Sequence, residues 1–189
     1  MDLRNNPPIR PAHIWLLCLL MLATVNQIKA DTVELKEFPE MLSQYRSVTA
    51  KKADAEKTAK QFDLWQQQHP TEHLISLYRG ALNCLIARDA WFPWNKMRYA
   101  NLCMDQMDQS LAALEDQGSS ADLLQAYIER GFVNSHLPDM FGRSDLAIED
   151  FEAAQRLPQW SVLPEPDRQS ILKRLNEVKA KLAKEEASS

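Results

Sequence analysis

Apolar residues recur at three- and four-residue intervals along most of this chain, and no stretch alternates apolar and polar residues for long. The first spacing places apolar side chains on one face of an α-helix, whereas a strand requires a period of two. Four glycines in 189 residues are also too few for the many tight turns of a strand-rich protein. The sequence therefore predicts an all-α fold.

Seven helices are expected from this spacing, separated by proline, glycine and short polar runs. Thr49, Thr71, Asn95 and Ser144 are the predicted N-caps, because their side chains can accept hydrogen bonds from a first helical turn. The predicted helices cover about 37–47, 50–68, 72–89, 95–117, 121–136, 145–157 and 167–184. We expect one helical domain over 31–184 and a disordered tail over 185–189.

The first 30 residues have the composition of a secretory signal peptide. Two arginines precede a 12-residue apolar run, 14–25, which is shorter than the roughly 20 residues that a membrane span needs. The small residue Ala30 ends the segment, so cleavage is expected after it. An uncleaved membrane anchor is the alternative, and both interpretations place the domain in the periplasm.

The charge balance argues against some partners. After cleavage, 159 residues would carry 19 basic and 25 acidic side chains, a net charge of −6. Nucleic acids and anionic lipids attract basic surfaces. We therefore expect no nucleic-acid partner, and contact with a membrane only through an uncleaved signal segment.

A short motif occurs twice, at 78–83 and at 129–134, with Arg, Gly and Asn in register 51 residues apart. Glycine inside a helix costs about 0.5–1 kcal/mol relative to alanine, so a repeated glycine indicates close approach of a second helix. The repeated residues are Arg79, Gly80 and Asn83, and Arg130, Gly131 and Asn134.

The second copy is followed by Asp-x-Ala-Ile-x-Asp-Phe-x-x-Ala-x-x-Leu-Pro, from residue 145 to residue 158, and together they resemble a tetratricopeptide repeat. The resemblance implies that Gly131 packs against Ala147, Phe151 and Ala154, with Gly80 in the equivalent place of the first copy. It also implies stacked antiparallel helix pairs, an α-solenoid that serves as an interaction scaffold. An unrelated helical bundle is the alternative.

Two cysteines, Cys84 and Cys103, lie at equal distances from the centre of the turn between the third and fourth predicted helices. Residues at equal distances from such a turn face each other in an antiparallel pair. We predict a disulfide in an oxidising compartment, where closing this loop adds roughly 3 kcal/mol. Two buried free thiols are the alternative.

Sequence patterns for catalysis are missing. Pro70 separates His69 from His73, so no helix aligns them as metal ligands, and there is neither a phosphate-binding glycine loop nor a nucleophile motif. The prediction is a protein that is not an enzyme and that has no metal and no cofactor.

Aromatic residues crowd the turn between the third and fourth predicted helices. They either cover the end of the core or bind a partner, and we expect Phe92 to be buried with one tryptophan exposed. In a stacked array the second long turn, near 136–142, would lie along the same edge. The predicted apolar rim comprises Trp91, Phe92, Trp94, His136, Met140 and Phe141.

The repeated polar residues allow two interpretations. Arg130 could pair with Glu149 or Asp150 and fix the helix register, since partly buried arginines are normally ion-paired. Alternatively, Arg79, Asn83, Arg130 and Asn134 could form a polar floor that binds a carboxylate.

Two functions remain open from the sequence. The first is an exported, non-catalytic adaptor or scaffold that binds a protein or peptide in the cell envelope. The alternative is a small-ligand-binding accessory protein of an envelope transport system, with the ligand held between helix pairs.

Overall fold

The computed structural model describes residues 38–188. The chain divides into two units, Met1–Glu40 and Met41–Ser189, and the architecture below is that of the second. The predicted signal peptide, residues 1–30, lies outside the described residues.

Seven α-helices make up the described chain, and no residue of 38–188 belongs to a strand. The predicted all-α class is therefore confirmed. Two short 3-10 segments, Asp139–Phe141 and Pro158–Val162, precede and follow the sixth helix. The helices are α1 Phe38–Thr49, α2 Ala55–Gln68, α3 His73–Asp89, α4 Pro93–Gln117, α5 Ser120–His136, α6 Ser144–Arg156 and α7 Glu165–Ser188.

The start of α2 differs from the prediction. Thr49 is still inside α1, where its hydroxyl donates to the carbonyl oxygen of Tyr45 over 3.2 Å. Asp54 is the N-cap instead, and its carboxylate accepts from the backbone N–H of Lys57 at 2.6 Å. A carboxylate is a strong helix cap because it satisfies a free N–H and complements the positive end of the helix dipole.

The other predicted caps are also wrong. Pro93 opens α4, so Asn95 lies within its first turn; proline suits this position because it lacks the N–H that would go unsatisfied there. Glu72 and Arg143 occupy the N-cap positions before α3 and α6 without side-chain capping, so Thr71 and Ser144 do not cap.

At the other end of the domain, α7 continues to Ser188, so the residues predicted as a disordered tail are helical through that position. This helix packs its buried residues Ile171 and Leu175 into a cluster with Ala147 and Phe151 of α6. One face of the last helix therefore packs against the core.

Consecutive helices from α2 to α7 pack against each other, and α5 also contacts α3 and α7. Each of the seven helices contributes buried apolar side chains. The pattern is compatible with stacked helix pairs, and the solenoid arrangement itself stays a prediction.

Both repeated glycines allow a close helix crossing. A Cβ atom on Gly131 would lie 2.7 Å from Cε1 of Phe151 on α6, and one on Gly80 would lie 2.9 Å from Cγ of Met107 on α4. Real Cβ atoms do not approach other atoms this closely, so each crossing requires the absence of a side chain.

The partner helices repeat this packing with different residues. Cys103, Met107 and Ser110 are buried on α4 at the spacing at which Ala147, Phe151 and Ala154 are buried on α6. The pairs α3–α4 and α5–α6 therefore share one internal arrangement, although their turns differ in length. The assignment to the tetratricopeptide family remains a prediction.

A disulfide joins α3 to α4. The sulfur atoms of Cys84 and Cys103 are 2.19 Å apart, and their Cα atoms are 5.3 Å apart. This is the pairing that the sequence predicted. The bond crosses the helix pair near the turn that carries the aromatic residues.

Candidate functional site

The turn between α3 and α4 exposes its aromatic side chains. Trp91 is 87% exposed, Phe92 47% and Trp94 65%. The rings of Phe92 and Trp94 stack, with centroids 4.6 Å apart and planes 16° apart. The expectation of a buried Phe92 was therefore wrong, because only three residues link these helices and their side chains extend beyond the helix ends.

Met97, one turn further along α4, is also exposed, and we call Trp91, Phe92, Trp94 and Met97 the aromatic surface. Lys96 is exposed on the same turn of helix. The guanidinium carbon of Arg98 lies 4.6 Å from the centroid of the Tyr99 ring. The aromatic surface is thus apolar, and its margin carries the cations Lys96 and Arg98 together with the carboxylate of Asp89, whose pKa is lowered by a hydrogen bond from Arg88 and also by the charge of Lys96. This composition fits interface anchors.

In the turn between α5 and α6, the predicted rim residues differ in their exposure. Met140 is 74% exposed, Phe141 is half-buried, and His136 is exposed with its Nδ1 2.7 Å from the carbonyl oxygen of Phe132. Within the described residues, no hydrogen bond or ring contact joins this turn to the aromatic surface. The single rim predicted from the sequence remains a prediction.

Arg79 and Asn83, the first repeated Arg-Asn pair, form hydrogen bonds with other side chains of the protein. Arg79 donates to Asp63 of α2 and to Asn83, each over 2.7 Å. Asn83 is buried and donates to Gln106 of α4 at 3.2 Å. These contacts tie α2, α3 and α4 together.

The second pair belongs to a denser network. Arg130 donates to Asp150 at 2.7 Å and to Asp108 at 2.9 Å, and Asn134 donates to Asp150 at 3.2 Å. Arg143 also donates to Asn134 and Asp108. Asp150 is therefore the partner of Arg130, and the polar groups link α4, α5 and α6.

This network favours the structural interpretation of the repeated polar residues. Asp150 is buried, and burial raises the pKa of its carboxyl group while the Arg130 guanidinium acts in the opposite direction. Removing either partner would leave a buried charge, which is costly. A carboxylate ligand at Arg130 would have to displace Asp150.

Sequence reasoning did not find a polar site that lies between helices distant in the chain. Helices α1, α3, α5 and α7 surround a cavity of about 390 Å³, which we call the four-helix cavity. Its polar lining includes Tyr45, Arg46, Tyr78, Gln125 and Glu129. These residues come from three helices that are separate in the chain, α1, α3 and α5, and form no motif, so no sequence pattern indicates them.

Glu129 is the central polar group of this cavity. It accepts a hydrogen bond from the Tyr45 hydroxyl, and the Tyr45 ring packs edge-on against Tyr78 with centroids 5.1 Å apart. Burial raises the pKa of Glu129, whereas the hydrogen bond from Tyr45 and the charge of Arg46 act to lower it. The carboxyl group is therefore only partly solvated, and Tyr45 is its one hydrogen-bond donor among the described residues.

Gln125 lies one helical turn before Glu129 on α5. Its Oε1 atom is buried and accepts no hydrogen bond from the described residues. An unsatisfied buried acceptor costs about 1–3 kcal/mol. Two acceptors thus sit together on the wall of the cavity without a matching set of donors.

Residues 38–188 contain no group of three or more His, Cys, Asp or Glu side chains that could hold a metal ion. In the same part of the chain, no helix combines the length and the apolar character needed to cross a membrane. The two candidate sites described above are the aromatic surface and the four-helix cavity.

No protein-family model, curated protein or solved structure matches this chain.

Proposed function

We propose that this protein is an exported, non-catalytic helical-repeat adaptor that binds a protein or peptide partner in the cell envelope. The observation that carries the proposal is the exposure of Trp91 and Trp94 on the short turn between α3 and α4. Tryptophan is enriched among the residues that supply most of the binding energy of interfaces. Two of them exposed together are best explained by a partner that covers them.

Three features restrain the turn before any partner binds. Pro93 restricts the backbone at the first position of α4, the Phe92 and Trp94 rings stack on each other, and the Cys84–Cys103 disulfide joins the two helices behind them. Rigid anchors lose little conformational entropy on binding.

The margin of the aromatic surface suggests the chemistry of the partner. Lys96 and Arg98 are exposed beside the aromatic side chains. An apolar segment flanked by acidic residues would match both the rings and the cations. We therefore favour a peptide or protein surface of that composition.

Export is supported by two features of different kinds. Residues 1–30 have the pattern of a signal peptide, and a disulfide persists in oxidising compartments such as the bacterial periplasm. N-terminal sequencing of protein from the envelope fraction should begin at or near Asp31. A full-length product in the cytoplasm would contradict the proposal.

The adaptor function is tested by capture from the envelope fraction with a tagged chain. We expect the wild type to retain one partner in stoichiometric amount and the Trp91→Ala/Trp94→Ala variant to lose it. The control is Leu64→Ala/Val162→Ala, which removes two other exposed apolar side chains and should leave capture intact. Equal capture by all three proteins would refute the role of the aromatic surface.

A further inference from the structure

We propose that the four-helix cavity binds an organic primary amine as its ammonium ion, held by the Glu129 carboxylate and the Gln125 side-chain carbonyl. The site is separate from the aromatic surface and does not depend on the adaptor proposal. It retains the small-ligand alternative from the sequence, but with residues other than the repeated arginines and asparagines.

The cavity has the size and lining of a small-molecule site. Its volume of about 390 Å³ falls in the range of roughly 300–1,000 Å³ typical of such pockets. Apolar side chains form much of the wall and would cover the carbon skeleton of a ligand. They are Leu42, Ile128, Phe132, Leu163 and Ile171.

The polar groups on α5 specify a ligand that donates several hydrogen bonds. Glu129 and Gln125 are four residues apart, so they lie on the same helix face. Only one Glu129 oxygen accepts from a described residue, and Gln125 Oε1 accepts from none. An ammonium group has three donors and no acceptor, so one bound at Glu129 can also donate to Gln125, whose buried Oε1 must turn toward the cavity to reach it.

The charges around the cavity favour a cation over an anion. Glu129 and Asp167 contribute two carboxylates to the lining, and Arg46 contributes the single cation among the lining residues. Arg46 and Asp167 are both exposed, so water screens much of each of these two charges, and Glu129 is the least exposed charge in the lining. A carboxylate ligand would lie against Glu129 and would leave Gln125 without a donor.

The aromatic rings add to this preference. Tyr45 and Tyr78 are buried and line the cavity beside Glu129. Cations are attracted to the faces of such rings within about 6 Å of the centroid, more strongly where water is excluded. Glu129 is also a carboxyl group whose pKa burial raises, and groups perturbed in this way cluster at functional sites.

The test is isothermal titration calorimetry of the full chain near neutral pH with three probes of similar shape. Phenethylamine carries the ammonium group, 2-phenylethanol is neutral and 3-phenylpropanoate is an anion. We expect phenethylamine to bind at least about tenfold more tightly than the alcohol, since a charge-assisted hydrogen bond is roughly twice as strong as a neutral one. The anion should bind least.

Glu129→Gln keeps the shape and the acceptor for Tyr45 but removes the charge, and it should weaken phenethylamine binding by about tenfold or more. The matched control is Glu152→Gln on α6, whose exposed carboxylate pairs with Lys179 and lies outside the cavity; it should bind as the wild type does. Circular dichroism checks that both variants fold.

Each contrary result has a definite meaning. Equal binding of amine and alcohol, or unchanged amine binding by Glu129→Gln, would overturn ammonium recognition while leaving a ligand cavity. Tighter binding of the anion would assign the site to Arg46 and overturn the proposal. No binding of phenethylamine would overturn it as well, without affecting capture of a protein by the aromatic surface.

Discussion

Tyr45 on α1 donates its hydroxyl hydrogen bond to the carboxylate of Glu129 on α5, across 84 residues of sequence. The bond connects the first described helix to the helix that contacts α3, α4, α6 and α7. It also gives Glu129 its one hydrogen-bond donor among the described residues. Packing of α1 therefore determines how the polar centre of the four-helix cavity is arranged.

The Glu129 carboxyl should make stability depend on pH. Burial raises its pKa, so the folded state binds a proton more readily than the unfolded state does, and its contribution is most favourable below the unfolded pKa and is lost as pH rises through the folded pKa. Tyr45, Arg46, Tyr78 and Asp167 are the titratable groups that face it.

We therefore expect Glu129→Gln to melt a few degrees above the wild type at neutral pH, with the difference vanishing below about pH 4, where both side chains are neutral. Thermal melts across this pH range measure the effect. A variant that is less stable than the wild type at neutral pH would show that the ionised carboxylate stabilises the fold.

The two repeated glycines should differ in their tolerance of a methyl group. Gly131→Ala places a Cβ against the rigid, buried ring of Phe151, whereas Gly80→Ala places one mainly against the flexible side chain of Met107. We expect Gly131→Ala to lower the free energy of unfolding by about 1–3 kcal/mol, because the added methyl group overpacks the contact. Gly80→Ala should lower the free energy of unfolding less, because the Met107 side chain can move away from the new methyl group more easily than the buried Phe151 ring can; both changes gain the same helix propensity. Urea unfolding compares them, and equal losses would contradict this account.

The Arg130–Asp150 pair should matter far more to stability than an exposed pair. Asp150→Ala leaves the Arg130 guanidinium without its main partner, and breaking a buried pair costs about 3–5 kcal/mol. Glu152→Ala breaks the exposed pair with Lys179 and should change the unfolding midpoint little. Similar midpoints for the two variants would mean that the network is not structural.

Reduction of the Cys84–Cys103 disulfide should destabilise the domain. The bond closes a loop of 19 residues in sequence separation, worth roughly 3 kcal/mol in the chain-entropy model. We expect dithiothreitol to lower the melting temperature of the wild type but not that of Cys84→Ser/Cys103→Ser. A wild type that does not respond to the reductant would contradict a stabilising bond.

The aromatic surface should contribute little to folding. Trp91 and Trp94 are exposed, so changing both to alanine should shift stability by no more than about 1 kcal/mol. Iodide should quench their emission, and Trp91→Phe and Trp94→Phe should each remove part of the quenchable signal. Buried Trp65 provides an unquenched reference. A loss of several kcal/mol would identify the tryptophans as part of the core.

The helical class and several contacts could be predicted from sequence because they depend on local spacing. Apolar residues at helical intervals indicated all of the helices, and the distances of Cys84 and Cys103 from one turn indicated that they face each other. The family resemblance placed Gly131 against Phe151, and in the structure Gly131 does lie against the Phe151 ring. Each of these inferences concerns contacts within a single helix or a single helix pair.

Helix starts and the exposure of the turn were harder to predict, because each depends on which side chains find partners in three dimensions. Thr49, Thr71 and Ser144 all have side chains that can cap a helix. At the start of α2, however, it is Asp54 that accepts the hydrogen bond from the backbone N–H of Lys57. Phe92 has the composition of a core residue, but its place beyond the helix ends leaves it stacked on Trp94.

By itself, then, the sequence determined the helices and the disulfide partners, since these follow from periodicity and from chain distance along neighbouring helices. Only the tertiary structure decided that Tyr45, Gln125 and Glu129 share one cavity. The reason is physical: four helices distant in sequence enclose it, and their relative placement depends on the packing of the whole core rather than on any local pattern.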